Sequence, residues 1–188
     1  MSSLLLSIFI ATGQIMAQET ELSKKERKKL EKEDKKKQKE ASQIAEFNNA
    51  KEMAETKRFV FTGSEMFTPD GSAPLNARIN FFYLEGDEAT LQFAFEGLQF
   101  IPNPNGLGGV TSKGKVTKYT FKADNPKKPV SIQVTVQPLA GQGSGIHQLV
   151  LTIYGDDYAE LLLQSSNVRV KGSIVKPEDS KIYEGTSR

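Results

Sequence analysis

With 188 residues, 20.8 kDa and a formal net charge of +2, the chain has the length for one packed core plus appendages but not for two ordinary domains. It also has no global field to hold it on nucleic acid. The absence of cysteine removes disulfides, thiol nucleophiles, thiolate metal ligands and a lipidated cysteine together. A single histidine, His147, leaves the usual zinc sites and histidine-based triads short of ligands and bases.

The first element is an address. Residues Leu4 to Thr12 form a short apolar run, a small-residue boundary follows at Ala17-Gln18, and the chain turns charged from Glu19. This is the profile of a secretory signal peptide, and the run is far short of the roughly 20 residues a spanning helix needs. Cleavage is expected after Ala17 or Gln18. Met1-Ser2-Ser3 lacks the positive charge that usually opens such a leader, so a start further upstream is also an expectation.

A helix is expected over residues 19–57. Between Glu21 and Lys57 stand 12 basic and 9 acidic side chains with no Gly or Pro, a composition that favours helix. Ser23 and Glu26 fit a capping box at its start, and Glu21–Lys25, Glu31–Lys35 and Glu33–Lys37 are oriented as favourable i,i+4 pairs. The first half is polar nearly all round, interrupted only by Leu22 and Leu30, and cannot bury a face. From Ala41 a narrow apolar stripe appears, Ile44, Phe47, Ala50 or Met53, and Ala54, expected to dock on the following domain or on a second copy. The lysines of the first half, Lys24, Lys25, Lys28, Lys29, Lys35 and Lys36 among them, read either as attachment points to an anionic surface or as a solvated spacer.

From Arg58 the periodicity switches to two-residue alternation broken by turn clusters, the signature of antiparallel β structure. Strands are expected near 59–62, 77–84, 89–95, 115–123, 130–137, 146–154, 158–163 and 168–174. Turns are expected at Glu85-Gly86-Asp87-Glu88, Asp124-Asn125-Pro126, Gly155-Asp156-Asp157 and Ser165-Ser166-Asn167. Alternation points Leu91, Phe93 and Phe95 inward and Thr90 and Gln92 outward. Ile132, Val134 and Val136, then Leu149, Leu151 and Ile153, and Leu161 and Leu163 are likewise inward. The fold class is therefore all-β over residues 58–184, an antiparallel sandwich or up-and-down barrel of about eight strands preceded by the charged helix and followed by a tail at 185–188.

Several features combine here: Phe59-Val60-Phe61, the long Gly-containing loop after Phe93-Ala94-Phe95-Glu96-Gly97, Leu149-Val150-Leu151-Thr152-Ile153 hairpinned into Ala159-Glu160-Leu161-Leu162-Leu163, and the closing Ser165, Asn167, Val170 stretch. In this order they resemble an exported Bacteroidota family, domain of unknown function 4251, over roughly residues 45–184. The loop Pro102-Asn103-Pro104-Asn105-Gly106-Leu107-Gly108-Gly109-Val110 departs from the family pattern in its two prolines and fewer consecutive glycines. The resemblance implies an envelope location and an all-β domain, and carries no activity.

Chemical motifs are few. Gly109 to Lys115 imitates a phosphate-binding loop, but Val116 replaces the required Ser or Thr and the segment leads into a strand where the motif opens a helix. Ser144 between glycines lacks the nucleophile-elbow spacing. Asp156, Asp157 and Glu160 are ordinary hairpin chemistry with too few oxygens for calcium. His147 shares a face with Leu149 and Leu151 close to a strand start and is placed at the rim of the core. The segment from Leu98 to Gly114 is too long for a simple hairpin and reads as a binding loop or a cover over an open sheet end. Phe100, Asn103 and Asn105, with His147, are its candidate ligand contacts. The expected function is a non-enzymatic exported protein of the periplasm or envelope, a structural or binding module without cofactor or metal. Its partner is an envelope protein or anionic envelope surface, not nucleic acid. The alternative is a lipocalin-like barrel carrying a small apolar ligand.

Overall fold

A computed structural model describes residues 8–94, 109–140 and 145–185, with side chains from Lys24 onward. The chain divides into two units, one ending at Ser42 and one beginning at Gln43. The first unit is helical: α1 spans Ile8–Thr56, and its residues from Lys24 to Ser42 are all exposed. Ser23 and Glu26 lie inside α1, so the expected capping box does not start a helix. Among the described residues, the ion pairs within α1 are Lys36–Glu40 at 4.0 Å and Lys51–Glu55 at 3.7 Å.

The second unit is an antiparallel barrel. Its strands are β1 Arg58–Thr68, β2 Gly71–Pro74, β3 Phe81–Glu85, β4 Glu88–Ala94, β5 Gly109–Lys122, β6 Val130–Pro138, β7 His147–Gly155, β8 Tyr158–Leu163 and β9 Val168–Val175. Each of β3 to β9 pairs with the next, β3 pairs with β1, and β9 pairs back onto β1 from Val60↔Val175 to Phe67↔Arg169. Eight strands thus close on themselves, which removes the open edges a sandwich keeps. The extra strand β2 pairs with the far half of β1, Glu65↔Pro74 to Thr68↔Gly71. It fills the edge that β3, which reaches only Thr62, leaves open.

Three strand expectations are corrected. β1 continues through Gly63 to Thr68 by way of a bulge between Gly63 and Glu65, so the stretch between the expected strands at 59–62 and 77–84 carries a hairpin with β2. Residues 77–80 are turn rather than strand, locked by Asn80, whose carbonyl accepts from Gly63 N at 2.7 Å and whose Oδ1 accepts from Ala94 N at 2.9 Å. β5 begins at Gly109, so the last six residues of the expected loop from Leu98 to Gly114 are strand, registered from Ala94↔Gly109 to Glu88↔Lys115.

The inward face is apolar, as the alternation requires. Phe59, Phe61, Phe82, Leu84, Ile132, Leu151, Leu161 and Ile174 are no more than 1% exposed. One end is capped by the last turns of α1. Ala50, Met53 and Ala54 are buried in the same cluster and Phe47 packs against it, whereas Ile44 of the expected stripe stays exposed. The Tyr119 hydroxyl donates to the Ala54 carbonyl at 2.7 Å, Asn49 donates to Asp156 of the β7–β8 turn at 3.1 Å, and Lys176 pairs with Glu52 at 3.1 Å. Lys57 ends the helix with φ 51, the left-handed conformation common just past a helix C-terminus. From there its carbonyl accepts from Gly86 N at 2.9 Å and its ammonium pairs with Asp87 at 2.9 Å.

Candidate functional site

The end of the barrel away from α1 carries the inward polar groups. His147 opens β7 opposite Val136, on the inward side with Leu149 and Leu151. Ser112 on β5 pairs with Leu91 and so also faces in. The two meet, Ser112 Oγ to His147 Nε2 at 3.0 Å, with Ser112 buried and His147 half-buried. Burial holds the imidazole below its ordinary value of 6.5, because losing water penalises the charged ring.

The sign of this shift fixes a pH dependence. In the window just below 6.5 the unfolded chain binds the His147 proton more readily than the folded one, so stability falls as pH drops through that window. The urea midpoint is expected to decline from pH 7.5 to pH 5, and the decline should be shallower in His147→Gln. Equal slopes in the two proteins would remove the histidine as the cause.

Of the other residues singled out in the sequence, Phe100, Asn103 and Asn105 lie outside the described residues. Lys24, Lys25, Lys28, Lys29, Lys35 and Lys36 are exposed on α1 in the first unit. Asp156 of the expected Gly155-Asp156-Asp157 turn accepts from Asn49, and Gly109 to Lys115, which imitates a phosphate-binding loop, is strand. Among the described residues no group of His, Asp and Glu is arranged to hold a metal ion, and no helix is long and apolar enough to cross a membrane.

Two features had no counterpart in the sequence reading. A cleft of about 200 Å³ lies where α1 meets the β5–β6 turn, with Glu46 and Phe47 on the helix side and Pro126, Lys127, Lys128 and Tyr154 on the barrel side. It is shallow and open to solvent, a size suited to a side chain rather than a cofactor. The second feature is a second buried layer on the outside of the barrel. Val60, Phe81, Gln92 and Thr111 point outward yet are at most 5% exposed, because the C-terminal segment passes over them after a 3-10 turn at Pro177–Asp179. Gln92 pins that segment. Its amide donates to the Ile79 and Tyr183 carbonyls, both at 2.9 Å, and its Oε1 accepts from Thr111 Oγ1 and Gly185 N, both at 2.8 Å. At the start of the segment Arg58 bridges Glu85 and Glu178. Burial and the bond to Glu85 push the Tyr83 hydroxyl up to about 12.

Residues 41–171 match a family model described as domain of unknown function (DUF4251). A crystal structure of a DUF4251 family protein from Bacteroides eggerthii DSM 20697 is similar in fold, with a TM-score of 0.55 and 22% identity over 73% of this chain and 91% of that one. Among proteins of curated function, none matches significantly.

Proposed function

The chain belongs to the DUF4251 family, and from that premise we propose that it is an exported, non-enzymatic protein of the cell envelope. In this reading the barrel is a binding or structural module, held near a surface or partner by the N-terminal helix. The observation that carries it is how the barrel uses its interior. Side chains such as Phe59, Phe61, Phe82 and Ile132 reach 0% exposure, and Met53 of α1 seals the same space at 1%. That packing leaves no water-sized room beside them, so the α1 half of the barrel is committed to its own stability and a partner meets the outside. Export is supported by the apolar run Leu4 to Thr12 and the boundary at Ala17-Gln18.

The test is fractionation of producing cells, followed by N-terminal sequencing of the protein recovered. Release from the envelope fraction with Gln18 or Glu19 at the N-terminus is the expected result. Recovery from the cytosol with residues 1–17 intact would overturn the reading.

A ligand-carrying barrel is the second reading, favoured by the Ser112–His147 pair, a polar contact on an otherwise apolar inner wall at the end opposite α1. Native mass spectrometry before and after organic extraction separates the two. An adduct lost on extraction moves the carrier to first place, and a clean mass leaves the outer surfaces as the binding faces.

A further inference from the structure

We propose that the charged half of α1 lies on the surface of an anionic phospholipid bilayer through a continuous lysine stripe. The inference rests on the reading of the chain as an exported module held near a surface, and names that surface. Along the sequence the lysines from Lys24 to Lys39 alternate with acids, and their charges look mutually screened. α1 runs through the segment without a break, and a 3.6-residue turn sorts them differently. Of the nine lysines from Lys24 to Lys39, all but Lys37 fall within an arc of about 140°, at 100° per residue. Glu26, Glu31, Glu33, Asp34 and Glu40 all fall on the remaining arc, together with Leu30 and two cations, Arg27 and Lys37.

The result is a helix with one wholly basic face and, behind it, a mixed face in which acids outnumber cations. The basic stripe is about 22 Å long at 1.5 Å per residue, and its side chains are exposed. Among the described residues, the ion pair it makes is Lys36–Glu40 at 4.0 Å, at the border between the faces. A sector of that width is what a helix presents to a plane when it lies flat on it. A polyanion free to wrap the helix would also meet the five acids behind, whereas a bilayer meets only the lysines. The arc contains no apolar side chain, so the contact is adhesion to headgroups without insertion.

The experiment is co-sedimentation of the whole protein, purified from producing cells, with vesicles of phosphatidylcholine containing one-third phosphatidylglycerol and with vesicles of phosphatidylcholine alone. Binding is expected only to the anionic vesicles and should weaken as salt is raised. The decisive variant exchanges neighbours, Lys25→Glu with Glu26→Lys and Lys32→Glu with Glu33→Lys. Composition and net charge are unchanged, but two lysines leave the stripe and two acids enter it. It should bind on the order of a hundred-fold more weakly. The milder pair Lys32→Gln and Lys36→Gln should lose on the order of tenfold and guards against a loss of helix in the exchange.

Equal binding by the exchange variant and the native protein would overturn the proposal. So would retention of the protein by a soluble sulfated polysaccharide but not by anionic vesicles, which would assign the stripe to a glycan. A protein recovered from the envelope that ignores phosphatidylglycerol vesicles sinks this inference alone. One recovered from the cytosol sinks the reading beneath it.

Discussion

Replacing Gly172 with alanine is expected to destabilise the barrel by about 3 kcal/mol or more, lowering its melting temperature by about 10 °C. Gly172 sits in β9 between two neighbours, Ala159 of β8 and Gly63 of β1. A Cβ built on it would overlap the Thr62 carbonyl oxygen and also approach the Gly63 Cα at 3.1 Å. Both obstacles are backbone, so no rotamer change relieves the overlap, and the strands must separate. The separation would fall on the β1–β9 pairing, the one contact that turns the meander into a closed cylinder. The reason for glycine here is proximity of chains. A contrasting change on the same strand is Ser173→Ala, which points outward and removes one contact with Thr62 Oγ1 at 3.2 Å. It should cost no more than about 1 kcal/mol. Thermal melts of the two variants would test the argument directly, and similar melting temperatures would refute it.

That seam also shows where the sequence stopped being informative. Inward and outward positions are local properties, and the alternation assigned Ile132, Val134, Leu149, Leu151 and Leu161 to the core, where they are found. Closure depends on Val60 meeting Val175, more than a hundred positions away, and nothing in either strand distinguishes a barrel from a sandwich. Glycine is ambiguous in a strand pattern. Gly63 marks a bulge in β1, and Gly109 and Gly114 mark places where β5 comes close to its neighbours, a Cβ at Gly114 lying 2.5 Å from the Gln137 carbonyl. In the sequence alone glycine signals close approach and chain reversal alike, so the expected strand stops at 62 and the expected loop runs on to Gly114. The candidate site was legible to the same degree. His147 stands at a strand start on the apolar face as its spacing indicates, but its partner Ser112 lay in the part of β5 read as loop. The lysine stripe has the period of the helix, which a count of charges along the sequence does not show.

The second large effect is expected at Gln92, which period-two alternation places on the outer face and the structure buries completely. Gln92→Leu keeps the volume but withdraws two donors from the Ile79 and Tyr183 carbonyls and an acceptor from Gly185 N and the Thr111 hydroxyl. Buried polar groups that lose their partners cost about 1–3 kcal/mol each. Here the C-terminal segment limits the loss by lifting into water, so the cost should stop at about 2–4 kcal/mol and appear together with local release. Hydrogen exchange should accelerate at the amides of Tyr183 and Gly185, while the amide of Leu151 in β7 keeps its protection. Gln92→Glu makes a sharper test. A carboxylate facing two carbonyl oxygens is repelled by both, so its protonated form is favoured in the folded state and its pKa is raised. The folded chain then holds a proton the unfolded one releases, and stability is lost as pH rises and recovered at acid pH, opposite to the trend expected from His147. Removing residues 181–188 should cost about as much as Gln92→Leu and add little to it, because both abolish the same contact. Full additivity would mean that Gln92 stabilises the barrel by some route other than holding its own C-terminus.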